Sequence, residues 1–272
     1  MRMLGNSING NLHPICLHDR AEIEAYLRRV APLHLYELGD LDDFFWPYTT
    51  WYAHRPAGDV EQAALVYSGI SPPVLLALTP PPFAEMAALL RSIKPFLPKR
   101  IYAHLSGDLV EVLAGDYHLE SHGPHHKMIL ANPAALAAVD TSPVIPLSTT
   151  DLDRLTALYQ ASYPDNAFDA RMLETGCFFG LEDDGVLVSV AGIHVYSEQY
   201  RVAALGNVTT HPAHRGRGGA LAVCAKLGQT LIDRGIEHIG LNVKADNQAA
   251  MACYQKLGFE YVATYTEYML VG

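Results

Sequence analysis

Apolar residues change their spacing several times along the second half of the chain, and each change predicts a new element. A strand-like apolar run at 202–208 and a second strand pattern at 239–243 predict two strands. Between these runs, apolar residues recur every three or four positions, which predicts one face of a helix: Ala220, Leu221, Cys224, Leu227 and Leu231. The pattern therefore predicts a strand, a helix and a second strand in succession.

The elements around this unit complete a mixed α/β domain. Helical spacing is present at about 150–162, and strands are predicted at 177–182 and 186–196. A last helix is predicted to be capped by Asp246 and ended by Gly258, and a closing strand follows.

The first half shows a similar order of elements. Asp19 is expected to cap a helix, after which strand patterns, an amphipathic helix near 83–93 and further strands follow, the last of them around a Gly123-Pro124 turn. An Ala- and Pro-rich stretch at 131–143 lacks such a pattern. We therefore predict two domains, 1–140 and 141–272.

Composition narrows the possible functions. The formal net charge of −10 over 272 residues argues against a general binder of nucleic acid or anionic membranes. No apolar run approaches membrane-spanning length, and the N-terminus lacks a signal-peptide pattern. The cysteines are far apart, which favours neither a zinc site nor a disulfide framework: Cys16, Cys177, Cys224 and Cys253. We expect a cytoplasmic protein without a metal.

One basic, glycine-rich turn stands out in this acidic chain. It follows the predicted strand at 202–208, begins at His211-Pro212 and continues as Arg215, Gly216, Arg217, Gly218, Gly219 and Ala220. A turn of this kind presents backbone N–H groups and a helix N-terminus to an anion. No Gly-Lys-Ser/Thr follows, and Leu221 stands where a dinucleotide fingerprint needs its third glycine. We predict a phosphate site of another kind.

A second motif lies after the next strand, in which Asn247, Ala250, Tyr254, Lys256, Gly258 and Phe259 occur at fixed spacing. Together the two motifs resemble the GNAT superfamily of N-acyltransferases, and within it the glycine N-acyltransferase-like branch. The resemblance covers about 144–272. It implies a GNAT fold with a mixed sheet, and the order of elements predicts two tandem GNAT-like domains, with the first one degenerate.

The resemblance also implies a role for each matching residue. The amides of 215–220 would hold the pyrophosphate of acetyl-CoA, and Asn247 would contact its arm. Backbone groups of Val208, Thr209 and Thr210 would bind the arm and the thioester oxygen. Tyr254 would protonate the departing thiolate, a task that suits a positioned phenol.

The general base is the point at which this sequence departs from the family. Glycine N-acyltransferases have a Glu on the strand before the loop, and Ala204 occupies that position here. His194 on the preceding strand is the best replacement, and Glu198 and His211 are weaker candidates.

Two structural interpretations compete with these assignments. Taken alone, Tyr254 would be a core aromatic of an amphipathic helix. His122, His125 and His126 suggest a metal site, but no carboxylate stands at ligand spacing.

We therefore expect an N-acyltransferase that uses acetyl-CoA and acts on a small amine, an amino acid or a protein amine. The alternative is a CoA-binding sensor without turnover.

Overall fold

The computed structural model describes residues 15–56 and 58–272. In chain order its strands are β1 (Ile15–Leu17), β2 (Thr49–His54), β3 (Gln62–Tyr67), β4 (Val74–Ala77), β5 (Arg100–Ser106), β6 (His118–Leu130), β7 (Ile145–Pro146), β8 (Phe179–Asp183), β9 (Val186–Ser197), β10 (Val202–Thr210), β11 (His238–Lys244) and β12 (Phe259–Val271). Its α-helices are α1 (Arg20–Leu27), α2 (Leu35–Gly39), α3 (Ala84–Ile93), α4 (Ala134–Ala137), α5 (Leu152–Ser162), α6 (Gly219–Asp233) and α7 (Gln248–Lys256).

These elements form two compact units that are interleaved along the chain. The first unit comprises 15–26, Tyr48–Ser121 and Tyr268–Gly272, and the second comprises Leu27–Pro47 and His122–Glu267. The sequence predicts a degenerate domain at 1–140 and a catalytic domain at 141–272. This division by function remains a prediction.

In the first unit the strand order is β1-β2-β3-β4-β5, followed by the end of β12. Strands β2, β3 and β4 are antiparallel, and α3 connects β4 to its parallel neighbour β5. Helix α3 buries Met86, Leu89, Leu90 and Ile93, each at most 1% exposed. The proline segment Pro80–Pro82 lies between β4 and α3.

The second unit repeats this arrangement with longer strands, in the order β12-β6-β11-β10-β9-β8-β7. Strands β8, β9 and β10 are antiparallel, and α6 connects β10 to its parallel neighbour β11. Of the apolar positions predicted for α6, Cys224, Leu227 and Leu231 are 0% exposed, while Ala220 and Leu221 are partly exposed. Ile239 and Leu241 of β11 are 2% exposed. Full burial of such a side chain stabilises the fold by about 1.5–3 kcal/mol.

The predicted turn at Gly123-Pro124 is wrong. Residues 118–130 form one strand, β6, which pairs antiparallel with β11 from His125 opposite Lys244 to Ile129 opposite Gly240. Gly123 has a φ of 87°, which an L side chain rarely adopts, and the chain continues past it as a strand. The carbonyl of Pro124 accepts from the Ala245 amide at 3.0 Å, which extends the ladder with β11.

One of the two predicted helix caps is confirmed and the other is wrong. Asp19 caps α1 as predicted, since its Oδ1 accepts from the Ala21 amide at 2.9 Å. Asp246 does not cap α7. Asn247 is the N-cap, and its Oδ1 accepts from the Ala250 amide at 3.1 Å.

Within the described ranges, no helix is both long and apolar enough to cross a membrane. The four cysteines are free thiols.

Candidate functional site

The strands β10 and β11 diverge at the middle of the second unit. They pair in parallel only from Val202 opposite His238 to Leu205 opposite Leu241. Beyond these pairs, β10 continues to Thr210 and β11 to Lys244, with no further pair between them in the part of the chain that the structure describes. Beyond the last pair, the backbone polar groups of the two strands are not bonded to each other, and the space between the diverging strands is called the cleft below.

A bulge shapes β10 where the cleft opens. Pairing with β9 shifts register between Gly206 and Thr209, and Asn207 has a φ of 54°. Tyr159 Oη donates to the Asn207 carbonyl at 2.9 Å, and Asn207 Nδ2 donates to the Ile193 carbonyl at 3.2 Å. These bonds hold the bulge in place from two elements. Asn207 Oδ1 is enclosed and lacks a partner among the described residues.

The three predicted backbone contacts lie directly after this bulge. Val208 and Thr210 are partly exposed, while Thr209 is buried and its Oγ1 donates to Ser162 Oγ at 3.0 Å. Ser189 Oγ donates to the Thr209 carbonyl at 3.2 Å and lies 2.8 Å from Thr210 Oγ1. Backbone groups on this stretch are therefore rigidly held beside the cleft.

The glycine-rich turn leads from β10 into α6. Gly216 and Gly218 have φ values of 77° and 85°, and Gly218 is the N-cap of α6. A Cβ atom at either position would have no heavy atom within 4 Å, so both glycines face open space. A free helix N-terminus beside two open glycines can accept a phosphate closely, which fits the predicted pyrophosphate site.

The cations of the turn are tied to nearby acceptors. Arg215 Nε donates to the Thr210 carbonyl at 3.2 Å. Asp183 Oδ2 lies 3.2 Å from His214 Nε2 and 3.7 Å from Arg217 Nη1. Asp183, His214 and Arg217 line a pocket together with other residues of β8, β9, β10 and α6: Leu181, Glu182, Val188, Ser189, Thr210 and Gly219.

The carboxylate of Asp183 predicts a measurable effect on CoA affinity. Asp183→Asn should lower the Kd of CoA about two- to fivefold at low salt, because the change removes a negative charge beside the predicted phosphate site and releases Arg217. The gain should shrink as salt screens these partly exposed charges. Calorimetric titration at two salt concentrations measures it, with Asp233→Asn at the far end of α6 as control. Weaker binding by Asp183→Asn would contradict this electrostatic account.

Tyr254 lies on α7, the helix that follows β11. Its side chain is 8% exposed, and its ring packs edge-on against Phe259 with centroids 6.0 Å apart. Burial raises the pKa of Tyr254 well above its ordinary value, and neighbouring Cys224 and Cys253 add to this. The phenol therefore remains protonated at neutral pH, as a proton donor must.

Asn247 begins the same helix and is exposed. Its Oδ1 caps α7, and its side-chain amide nitrogen is a donor that a ligand can use.

His194 lies on β9 with its ring against the backbone of Gly206, so that a methyl group at Gly206 would collide with it. Its Nε2 is enclosed and has no partner among the described residues. Burial lowers the pKa of His194, and the nearby Asn207 side chain and the charge of Glu267 oppose this shift. The imidazole is thus neutral and able to accept a proton.

The two weaker candidates for the general base, Glu198 and His211, each accept a hydrogen bond from a neighbouring group. Glu198 is exposed and accepts from Tyr196 Oη at 2.5 Å. His211 Nδ1 accepts from the Ala213 amide at 3.3 Å.

The histidines near Gly123 also have separate partners. His125 Nδ1 donates to the Gly123 carbonyl at 3.1 Å, while His126 Nδ1 lies 2.8 Å from Thr264 Oγ1. No group of three or more metal-ligating side chains occurs among the residues that the structure describes.

The sequence patterns missed a second group of polar and aromatic side chains beside the cleft. Lys127 on β6 is directly opposite Asn242, the first residue of β11 beyond its pairing with β10. The Lys127 Nζ lies 4.8 Å from the ring centroid of Tyr36 and 5.6 Å from that of Tyr265. Tyr265 Oη donates to Glu267 Oε1 at 2.8 Å. No local motif connects these residues, because strand pairing and the packing of α2 bring them together.

A known family matches the region that contains β10, α6 and β11. Residues 147–259 match the acetyltransferase (GNAT) family model. An acetyltransferase of Sodalis glossinidius is 46% identical over 50 residues, which are 18% of this chain and 35% of that protein. An uncharacterized Mycobacterium leprae protein is 30% identical over 142 residues, 47% of this chain and 38% of that protein. The chain thus spans less than two fifths of the length of either curated relative.

A tandem GNAT protein from the clavulanic acid biosynthesis pathway resembles the whole chain. It has a TM-score of 0.54 and 15% sequence identity, and the match covers 94% of this chain and 98% of that one. The predicted GNAT fold with a mixed sheet is therefore confirmed. The finer resemblance to glycine N-acyltransferases stays a prediction.

Proposed function

We propose that this protein transfers an acetyl group from acetyl-CoA to a primary amine by direct attack. The observation that supports the proposal best is the divergence of β10 from β11, just before an open glycine turn at the start of α6. A cleft between parallel strands with an anion site at its end suits a long ligand with a pyrophosphate.

In the proposed reaction, backbone groups of Val208 and Thr210 bind the acyl-CoA arm and the thioester oxygen. Fixed N–H groups aimed at a developing oxyanion lower the barrier to attack, because they need no reorganisation. His194 takes a proton from the attacking nitrogen after the C–N bond forms. Tyr254 gives a proton to the sulfur as the C–S bond breaks.

The first unit has a different role in this proposal. Its β4 and β5 match the strand pair that frames the cleft, but Pro80–Pro82 follow β4 where the other unit has its glycine turn. Prolines have no N–H to offer a phosphate. We infer a degenerate acyltransferase-like domain without a CoA site.

One observation favours a second function, a CoA-binding sensor. Ala204 is fully buried on β10, where the resemblance implies a catalytic Glu. A protein that binds acetyl-CoA but lacks a general base would not transfer the acetyl group to an amine.

A thiol-release assay separates the two functions. The protein is incubated with acetyl-CoA and, in separate reactions, methylamine, 1,4-diaminobutane, tyramine, glycine, L-lysine or a lysine-containing peptide. We expect CoA thiol release with at least one amine, together with the acetylated amine by mass spectrometry. Calorimetric binding of acetyl-CoA without release for any amine would favour the sensor.

A further inference from the structure

The peptide group between Asn207 and Val208 lies outside the pairing of the sheet. Within the described residues, neither Asn207 nor Val208 has a register partner on β9 or on β11. Asn207 also has a φ of 54°, so the chain leaves regular strand geometry at this point. The strand ladder therefore does not fix the direction of this peptide group, and contacts from outside the sheet decide it.

One side chain of α5 bonds this peptide group directly. Tyr159 Oη donates to the Asn207 carbonyl at 2.9 Å, and both residues are at most 3% exposed. Burial raises the pKa of Tyr159 well above its ordinary value, so the phenol stays a donor. In the same last turn of the helix, Ser162 Oγ accepts from Thr209 Oγ1 at 3.0 Å. Helix α5 thus bonds β10 immediately before and immediately after Val208.

Aromatic packing holds the ring of Tyr159 in place. Its centroid lies 5.2 Å from that of Phe168, which in turn lies 5.7 Å from that of Phe178. A methyl group at Gly192 of β9 would collide with the Phe178 ring, and Gly192 is opposite Gly206, where the bulge of β10 begins. This row of rings therefore packs against the sheet beside the bulge and fixes the position of the Tyr159 hydroxyl.

The bond from Tyr159 determines the direction of an amide hydrogen as well as that of a carbonyl. The peptide bond between Asn207 and Val208 is trans. In a planar trans peptide group, the C=O and the N–H point in opposite directions. Because Tyr159 holds the carbonyl towards α5, the Val208 N–H points away from α5. The same bond polarises the peptide group, which strengthens its N–H as a donor.

We propose that Tyr159 is a positioning residue for acetyl transfer: by holding the Asn207 carbonyl, it aims the Val208 N–H at the thioester oxygen of acetyl-CoA. The inference rests on the proposed function, in which the backbone of Val208 binds that oxygen. An N–H group that is already oriented stabilises the developing oxyanion without reorganisation. Without the Tyr159 hydroxyl, the buried carbonyl loses its donor, and the peptide group is free to turn.

The infrared band of the thioester carbonyl tests this role without any acceptor amine. Acetyl-CoA that is isotope-labelled at the carbonyl carbon is bound to the protein, and its band is compared with that of free acetyl-CoA in the same buffer. We expect a lower frequency on the wild type, because oriented hydrogen bonds weaken the C=O bond. Tyr159→Phe should lose at least about half of this shift. A hydroxyl that only needs an acceptor in the core would not move the band.

The rate of acetyl transfer gives a second readout, with the fastest amine of the thiol-release panel as probe. Tyr159→Phe should lower kcat about tenfold and leave the Kd of CoA within about twofold, because the orientation of the Val208 N–H matters most when charge develops on the oxygen. Calorimetric titration of CoA measures the affinity and reports whether the variant is folded.

Tyr117→Phe is the matched control. Tyr117 Oη also donates to a backbone carbonyl, that of Pro98 at 3.1 Å, and the residue belongs to the first unit. The variant should lower the melting temperature, as the loss of such a bond does, and keep both the wild-type band and the wild-type kcat.

The failure of this inference and that of the proposed function give different results. Equal bands for the wild type and Tyr159→Phe overturn the role of Tyr159, and thiol release by the wild type then leaves acetyl transfer standing. A wild-type band equal to that of free acetyl-CoA also overturns the inference, since no oriented donor then meets the oxygen. A shifted band that Tyr159→Phe loses supports the inference even if no amine is acetylated, in which case only the proposed transfer fails.

A second variant decides if Tyr159→Phe does not bind CoA. With 3-fluorotyrosine in place of Tyr159, the phenol is more acidic and therefore a stronger donor to the Asn207 carbonyl. The band of bound acetyl-CoA should then move to a still lower frequency than on the wild type. An unchanged band would overturn the proposal.

Discussion

Gly218→Asp should weaken CoA binding at least about 100-fold, or about 2.7 kcal/mol. Gly218 is the N-cap of α6, has a φ of 85° and faces open space beside Gly216. An aspartate there would place a carboxylate at the proposed phosphate site, and like charges at close range repel strongly. Calorimetric titration of CoA measures the loss.

Two further variants separate charge from backbone strain. Asn adopts the left-handed region more readily than most residues, so Gly218→Asn adds bulk without charge and should lose about tenfold. Gly235→Asp stands near the opposite end of α6 with a φ of 78° and open space around it. It should lower the melting temperature about as much as Gly218→Asp and leave CoA affinity unchanged. Equal affinity of Gly218→Asp and the wild type would place the phosphate site elsewhere.

Tyr254→Phe should lower kcat about 100-fold and leave the Kd of CoA within about twofold, because the phenol acts when the thiolate departs. The ring remains packed on Phe259 in the variant, so the helix should be preserved. Since burial holds the pKa of Tyr254 above its ordinary value, the acid form persists as pH rises. The ratio of the wild-type kcat to the kcat of Tyr254→Phe should therefore stay constant between about pH 6 and 9.

Tyr261→Phe is the matched control, since Tyr261 is exposed on β12. It should have the wild-type rate. A fully active Tyr254→Phe would show that the thiolate leaves without this acid and that Tyr254 is a core aromatic.

The sequence by itself determined the local parts of the site. The apolar spacing predicted β10, α6 and β11, because one face of each is buried, and burial selects apolar residues at the period of the element. The glycine turn was visible because a positive φ at Gly216 and Gly218 favours glycine. The fixed spacing around Tyr254 was visible because it lies within one helix and the turn after it.

Only the tertiary structure decided what faces the cleft. The hairpin expected at Gly123-Pro124 is instead one long strand, because β6 finds its partner in β11, far along the chain. That pairing places Lys127 opposite Asn242, and the packing of α2 and β12 brings the rings of Tyr36 and Tyr265 beside Lys127 Nζ. Side chains so distant in sequence share no period or motif. The group of side chains around Lys127 is thus a product of strand order and helix packing, while the glycine turn is local and readable from the sequence.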